Sequence, residues 1–246
     1  MGAIPEETEG IKSLITNPKE EIYVMRTYVS GQINGIDVVL VFSRWGKVAA
    51  AATTASLIQK FGVNEIILTG VAGAISGDLK IGDIVLSARL VQHDLDARPL
   101  FKQHEIPLLG KTFIESDKSL SNWAERAINK VLETKTLNNT LSQKTLKAFG
   151  ITHPKLYKGD IASGDVFFSN KKQKENLLQT LPTIKCVEME GAAVAQVCYE
   201  HNTPCVIIRT ISEEADEKAV IDFPLFIKEI SSIYSKEIIK NMFEKM

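Results

Sequence analysis

The chain is poor in cysteine and histidine, and neither residue forms a pattern typical of a metal site. It has only three cysteines, Cys186, Cys198 and Cys205, and four histidines. An odd number of cysteines without a Cys-x-x-Cys pair argues against a disulfide framework or a zinc site, and indicates buried thiols in a reducing compartment. The run from His93 to Asp96 has the spacing of no standard site, so we expect no metal.

Long apolar runs and a strong net charge are also missing. The most apolar stretch, residues 36–42, is much shorter than the roughly 20 residues of a membrane span. A formal charge of −1 argues against nucleic acid or an anionic membrane as a partner. Glu6 and Glu7 leave no basic segment ahead of an apolar core, so we predict no secretory signal peptide. These absences favour a cytoplasmic globular protein.

The pattern that fills most of the sequence is an alternation of short β-branched runs with helical segments. At 246 residues and 44% hydrophobic content, the chain is long enough to bury a stable core without disulfides or a bound metal. The alternation predicts one α/β domain whose mostly parallel sheet carries helices on both faces. A hairpin at Asn34 and Gly35 makes the sheet mixed. Residues 133–155 are polar and weakly patterned, which predicts a surface insertion.

Individual elements can be placed along the chain. We predict strands at residues 21–30, 36–43, 65–69, 83–91, 157–162, 184–187 and 205–211. We predict helices at residues 47–61, 120–132, 142–149, 171–181, 190–200 and 223–243. Pro5 followed by two acids is typical of a helix start. Too few residues precede it for a full first strand, so we expect either a natural start upstream or an unusually short first strand.

Polar and glycine residues follow several of the predicted strands. In open α/β sheets, ligands bind beyond the carboxyl ends of the strands. A glycine loop at residues 70–73, an aromatic segment at 163–168 and acids at 188–190 and 213–214 would meet there with Glu7. Singly, each has an ordinary structural explanation: a tight turn, packing in the core, dipole compensation or a solvated loop. Together they predict an acid–base site with an aromatic wall.

Six motifs, taken in order, give a specific resemblance. They are Gly-Ala-Ile-Pro-Glu-Glu at residues 2–7, Gly-Lys-Val-Ala-Ala at 46–50, Thr-Gly-Val-Ala-Gly at 69–73, Ser-Gly-Asp at 163–165, Val-Glu-Met-Glu at 187–190 and Arg-Thr-Ile-Ser at 209–212. With them the sequence resembles the 5′-methylthioadenosine/S-adenosylhomocysteine nucleosidases of the purine-nucleoside-phosphorylase-like superfamily. The resemblance extends over nearly the whole chain, apart from residues 133–155.

The resemblance implies a fold and a reaction. The fold is a three-layer α/β/α arrangement in a homodimer, with residues 98–107 near the partner's site, and the enzyme needs no cofactor. The reaction hydrolyses the bond between adenine and a 5′-thio-ribose. Because the ribose becomes oxocarbenium-like, a carboxylate beneath it and a positioned water are useful, as in glycoside hydrolysis.

The resemblance also implies roles for particular residues. Glu7 would position and deprotonate the water, Glu190 would hold a ribose hydroxyl, and Met189 would pack against the sugar. The backbone of Phe168 would read the adenine edge, and Phe167 would stack on the ring.

Other residues of the matching motifs would contact the substrate. Ala72 and Gly73 would line the base side, and Trp45 and Phe223 correspond to apolar contacts of the family with the 5′-thio arm. The remaining implied substrate-binding residues are Ala3, Ile4, Val71, Glu188, Arg209 and Ser212.

Glu213 departs from the family pattern, which has aspartate as the acid that protonates the purine. Glutamate keeps the carboxyl group but adds a methylene, and a misplacement of about 1 Å can cost about 10²-fold in rate. The chain is therefore either an active enzyme with a readjusted loop, or a weakly active or non-catalytic binding relative. A rate gain in Glu213→Asp would indicate an impaired acid.

Two other enzyme activities remain open from the sequence. The phosphorylases of the superfamily that the chain resembles hold phosphate with arginines, one of them just before the glycine loop. Here residues 66–69 contain no basic residue, and Glu6 and Glu7 would repel phosphate. The residues therefore favour water as the nucleophile. An aminodeoxyfutalosine nucleosidase would share the adenine and ribose contacts and differ only in the 5′ pocket.

Overall fold

The computed structural model describes residues 1–134, 136–215 and 219–244, and it contains two β-sheets with helices packed on them. The strands are β1 Thr16–Tyr23, β2 Arg26–Ile33, β3 Ile36–Leu40, β4 Ile66–Ala74, β5 Ile84–Gln92, β6 Ile114–Glu115, β7 Leu156–Ser163, β8 Ile184–Glu188 and β9 Cys205–Glu213. The α-helices are α1 Pro5–Lys12, α2 Lys47–Gln59, α3 Lys118–Glu133, α4 Thr136–Thr140, α5 Gln143–Ala148, α6 Lys171–Thr180, α7 Gly191–Glu200, α8 Ala219–Phe226 and α9 Ser232–Met242.

The larger sheet is mixed, as predicted. Its strand order is β6-β5-β7-β8-β4-β9, and β9 also pairs with β5. The pairs β4–β9, β5–β7 and β7–β8 are parallel, whereas β4–β8, β5–β6 and β5–β9 are antiparallel. The extra β5–β9 pairing closes β4, β5, β7, β8 and β9 into a ring. Within this ring, Gly73 pairs with Val187, so the last residues of β4 and β8 lie side by side.

Helices cover both faces of this sheet because successive side chains of its strands point to opposite faces and are apolar on both. In β5, Ile84 and Leu86 belong to a cluster that includes residues of α1, α3 and α9. Val85, between them, belongs to a second cluster with residues of α2 and α7. The same period-two alternation places Val206 and Ile207 of β9 in different clusters. The predicted α/β class with helices on both sides of the sheet is confirmed.

The first two residues lie between the two sheets. Gly2 forms a parallel bridge with Phe42, just beyond β3. Its backbone N–H donates to Val41 O at 3.1 Å, and the Met1 carbonyl accepts from the Thr69 N–H at 3.0 Å. Helix α1 begins directly afterwards at Pro5, as predicted. This path carries Ala3 and Ile4 to the carboxyl end of β4.

The hairpin region differs from the prediction. Residues 21–30 are not one strand, because the chain turns at Val24 and Met25 with φ of 41° and 62°. Neither residue is one that typically adopts positive φ, so the sequence gives no turn signal there. The predicted turn at Asn34 and Gly35 is present. Strands β1 to β3 form their own antiparallel sheet, and the antiparallel pairs of the larger sheet arise elsewhere.

Two further boundaries are corrected. The predicted glycine loop at residues 70–73 is part of β4 and pairs with β9. The predicted helix 223–243 begins earlier, at Ala219, and is divided by a π-helical turn, Ile227–Ser231. A π turn inserts one extra residue into a helix, and the apolar pattern of the sequence gives no sign of it.

The weakly patterned segment contains the two short helices α4 and α5. Its side chains Leu137, Leu141 and Leu146 are buried in the cluster formed with α3 and α9. The segment therefore contributes to the core as well as to the surface. All three cysteines are buried and unpaired. Within the described residues, no helix combines the length and apolar character needed to cross a membrane.

Candidate active site

A cleft opens at the carboxyl ends of β4, β8 and β9. Every site residue predicted from the sequence except Arg209 lines it. The lining residues are Ala3, Ile4, Glu7, Trp45, Val71, Ala72, Gly73, Val166, Phe167, Phe168, Val187, Glu188, Met189, Glu190, Ser212, Glu213 and Phe223. The structure thus brings together residues that lie more than 200 positions apart in the sequence.

Glu7 is fixed by three backbone donors. Its Oε2 accepts the N–H of Ala3 at 2.6 Å and of Ile4 at 3.3 Å, and its Oε1 accepts the N–H of Val71 at 3.1 Å. The residue is only 2% exposed. Burial raises the pKa of Glu7, although Arg209 and the backbone donors oppose this effect. The carboxyl group is therefore held in one orientation with its basicity increased.

Arg209 lies behind the cleft, where it is almost completely buried. Its Nη2 donates to Glu188 Oε2, and to Glu190 Oε2 at 3.4 Å. Burial alone would lower the pKa of Arg209, but Glu188, Glu190 and Glu7 together raise it. The guanidinium therefore stays charged and supports the carboxylates around it.

Glu188 shapes the start of helix α7. Its Oε2 accepts the N–H of Glu190 at 3.0 Å, and its Oε1 accepts the N–H of Gly191 at 2.9 Å. Ser163 Oγ donates to Glu188 Oε1 and accepts the N–H of Ala192 at 2.7 Å. The carboxylate thus satisfies backbone donors at a helix N-terminus, where negative charge is favoured.

Glu190 occupies the N-cap position of α7 and lines the cleft. Its Oε1 accepts the N–H of Gly46 at 2.8 Å. Burial, followed by the charge of Glu188, raises the pKa of Glu190 to about 8, despite Arg209. One arginine cannot neutralise three buried carboxylates, so this group holds a proton over much of the neutral range.

Glu213 enters the cleft next to a register shift in the sheet. The β4–β9 ladder pairs Ala72 with Ile211 and then Gly73 with Glu213, so Ser212 is the extra residue. The shift turns the Glu213 side chain toward Gly73, and its Oε2 accepts the N–H of Ala215. Glu213 is 3% exposed.

The glycines of β4 provide the space that two of these carboxylates occupy. A Cβ at Gly73 would lie 2.1 Å from Glu213 Oε1, and one at Gly70 would lie 2.5 Å from Glu7 Oε1. Real atoms do not approach so closely. These glycines are therefore required for close approach and not for a turn, which explains why the sequence motif occurs in a strand.

Aromatic side chains form the apolar wall of the cleft. Phe223 lies edge to face with Trp45 at 5.7 Å and with Phe167 at 5.5 Å between ring centroids. Trp45 is 50% exposed, so this wall borders the solvent. The ring of Phe168 is instead buried in a core cluster and contacts the His93 ring at an interplanar angle of 75°.

Sequence reasoning missed two lining residues, Val166 and Val187. Valine beside a strand is typical of the core, so no signal distinguished them. Residues 98–107 do not line this cleft, and Leu100 on that segment is 84% exposed. Within the described residues, no three histidine, cysteine or acidic side chains are placed to hold a metal ion.

Comparisons with known proteins agree with this geometry. The chain is 33% identical to the aminodeoxyfutalosine nucleosidase of Helicobacter pylori J99, covering 100% of this chain and 97% of the relative. It is 33% identical to the 5′-methylthioadenosine/S-adenosylhomocysteine nucleosidase of Psychromonas ingrahamii, covering 98% and 97%.

Solved structures show the same fold. The Neisseria meningitidis 5′-methylthioadenosine/S-adenosylhomocysteine nucleosidase, in complex with methylthio-immucillin-A, matches with a TM-score of 0.85 at 30% identity, covering 98% of this chain and 95% of that one. The Colwellia psychrerythraea enzyme in complex with adenine matches with a TM-score of 0.86 at 30% identity, covering 98% and 92%. The family model described as "Phosphorylase superfamily" matches residues 1–244, so the chain belongs to this superfamily.

Proposed function

We propose that the protein is an N-glycosyl hydrolase acting on 5′-methylthioadenosine and S-adenosylhomocysteine, from which it releases adenine and the 5′-thioribose. One observation carries the proposal. Glu7, Glu190 and Glu213 line the same cleft in a chain that matches 5′-methylthioadenosine/S-adenosylhomocysteine nucleosidases along its length.

In the proposed reaction, the bond between the ribose C1′ and the adenine nitrogen breaks, and water supplies the new C1′–O bond. Glu7 accepts a proton from the water. Glu213 donates a proton to the five-membered ring of the leaving adenine. A general base works best when its pKa lies near the working pH, and burial shifts the pKa of Glu7 in that direction.

Glu190 would hold a ribose hydroxyl in this scheme. Its N-cap position fixes the backbone, and the Gly46 N–H fixes one carboxyl oxygen. Its second oxygen faces Arg209 at the distance of a weak hydrogen bond, 3.4 Å. Met189, which also lines the cleft, would pack against the sugar. Arg209 itself would position Glu188 and Glu190 from behind.

Water is favoured over phosphate as the nucleophile. The lining residues of the cleft in the described part of the chain include neither lysine nor arginine. Arg209, which lies behind the cleft, is already engaged by Glu188 and Glu190. A phosphate dianion beside Glu7 would be repelled, and none of the described lining residues would offer it a free cation.

The apolar wall would accept the thioether arm of the substrate. Trp45, Phe167 and Phe223 form a half-exposed aromatic surface on the cleft. Such a surface accepts a methylthio group and leaves a longer arm in contact with solvent. The Helicobacter pylori relative at 33% identity supports a second candidate reaction, the hydrolysis of aminodeoxyfutalosine, whose adenine and ribose would be held in the same way.

Several broader proposals accompany this function. The chain would act as a single domain in the cytoplasm and serve methionine salvage, without a cofactor and without binding nucleic acid or membrane. It would form a homodimer, with residues 98–107 near the partner's cleft. The exposed apolar side chains of Leu100, Leu108 and Val48 support an interface between copies.

The function is tested by incubating the protein with 5′-methylthioadenosine, S-adenosylhomocysteine and aminodeoxyfutalosine separately and following adenine release. We expect release from the first two, and a loss of at least 100-fold in Glu7→Gln. Glu9→Gln is the matched control, since Glu9 lies exposed on the same helix.

The other outcomes separate the alternatives. Release from aminodeoxyfutalosine alone would support the second candidate. If none of the three compounds releases adenine, the protein is a non-catalytic binding relative, in which Glu213 replaces the aspartate of the family.

A further inference from the structure

Asp94 does not line the cleft, but it joins two segments whose residues do. We call residues 44–47 the sugar-side loop and residues 163–168 the base-side loop. Lys47 Nζ donates to Asp94 Oδ1 at 2.5 Å, and the Asp165 N–H donates to Asp94 Oδ2 at 2.9 Å. One carboxylate therefore holds a side chain of the first loop and the backbone of the second.

The sugar-side loop carries this connection to Glu190. Its Gly46 N–H donates to Glu190 Oε1, as described above, and the Lys47 N–H donates to Asp165 Oδ1 at 2.8 Å. Gly46 has a φ of 92°, which favours glycine, and a Cβ there would lie 2.9 Å from Asp165 Oδ1. The loop is consequently held close to the base-side loop, with little freedom to shift.

The base-side loop carries the connection to the aromatic residues. It contains Phe167 and Phe168, both on the cleft. His93, the neighbour of Asp94, contacts the Phe168 ring at 5.2 Å between centroids. The His93–Asp94 segment thus supports this loop through a side-chain contact and a backbone hydrogen bond.

The ion pair within this connection is shielded from water. The Lys47 and Asp94 side chains are 17% and 23% exposed. Partly buried pairs are screened less by salt than surface pairs. Gln92 Oε1 also accepts from Lys47 Nζ at 3.2 Å, which fixes the ammonium further.

We propose that Asp94 is a positioning residue for the reaction, because it sets the separation between the loop that orients Glu190 and the loop that holds the base. The inference rests on the proposed function, in which a nucleoside spans these two loops. Asp94→Asn keeps the shape of the side chain but puts an amide N–H₂ against either the Lys47 ammonium or the Asp165 N–H. One of the two connections is then lost.

Two readouts test this proposal. The first is kcat/KM for 5′-methylthioadenosine, which we expect to fall about 10- to 100-fold in Asp94→Asn, since a shift of about 1 Å in a positioned group has this effect. The second is acrylamide quenching of Trp45 in the sugar-side loop, measured in a Trp123→Phe background because the chain has two tryptophans. We expect stronger quenching in Asp94→Asn than in its parent, because a loop that has lost a connection opens to solvent more often.

Matched variants complete the design. Lys47→Met removes the other end of the ion pair and should have the same two effects, and the double variant should be no more than about twofold worse than either single variant. Glu125→Gln is the control, because Glu125 pairs with Lys158 on the surface and neither residue lines the cleft. It should change neither readout.

The outcomes decide the proposal independently of the function. A kcat/KM within twofold of the Glu125→Gln value would overturn it, and so would a loss of activity with unchanged Trp45 quenching. If the wild-type protein releases no adenine, the proposed function fails and quenching alone decides. Stronger quenching in both Asp94→Asn and Lys47→Met would then support the connection between the loops, and unchanged quenching would overturn it.

Discussion

Replacing Gly73 by alanine tests whether the position of the Glu213 carboxylate matters. The added Cβ would lie 2.1 Å from Glu213 Oε1, whereas ordinary contact begins near 3.4 Å. Gly73 lies in β4, paired with both β8 and β9, so its backbone cannot easily yield. The carboxylate must therefore retreat by about 1 Å or more.

The expected effect follows from this displacement. A shift of about 1 Å in a catalytic group costs about 10²-fold. We predict that kcat/KM for 5′-methylthioadenosine falls about 100-fold in Gly73→Ala. The assay is adenine release at low substrate concentration, corrected for the folded fraction by circular dichroism. Gly77→Ala is the control, because a Cβ at Gly77 meets no atom within 4 Å.

A second variant separates a displaced carboxylate from a filled pocket. Adding Glu213→Asp shortens the side chain by one methylene and withdraws the carboxylate from the new methyl group. If displacement is the cause, the double variant regains at least tenfold over Gly73→Ala. Activity of Gly73→Ala close to that of Gly77→Ala, or no recovery in the double variant, would refute the reasoning.

Three other changes have defined outcomes. Because the pKa of Glu190 is raised to about 8, the folded protein binds more protons than the unfolded chain. The free energy of unfolding should therefore fall as pH rises from about 5 to 8, by up to about 1.4 kcal/mol per pH unit. Urea unfolding of Glu190→Gln should show a flatter dependence on pH. Arg209→Met should lower the free energy of unfolding by about 3–5 kcal/mol, since it leaves Glu188 and Glu190 buried without their cation; an unchanged urea midpoint would contradict this. Trp45→Ala should raise KM for 5′-methylthioadenosine several-fold with less effect on kcat, because it removes apolar contact and no catalytic group; an equal fall in kcat would point to a different role.

The positions of the site residues could be predicted from the sequence because motifs and strand ends coincide. Glu7 follows a short first segment, Glu188 ends β8, and Glu190 follows that strand. The rule that ligands bind beyond strand carboxyl ends then places them together. The rule does not say which carboxylate faces Arg209 or which donors hold Glu7, since those contacts depend on tertiary packing.

The failed predictions share a physical cause. Val24 and Met25 form a turn without turn residues, because the antiparallel pairing of β1 with β2 determines their backbone. Gly70 and Gly73 resemble a loop but serve close approach within a strand. In each case a tertiary interaction outweighs the local preference on which the sequence reading depends.

The most direct test of the account is the identity of the sugar product. The protein should be incubated with 5′-methylthioadenosine in phosphate buffer, and the products should be separated and identified by mass spectrometry. The account predicts adenine and free 5-methylthioribose in equal amounts, because the described lining residues of the cleft offer carboxylates for water and include neither lysine nor arginine for phosphate. A methylthioribose 1-phosphate product, or no product at all, would contradict it.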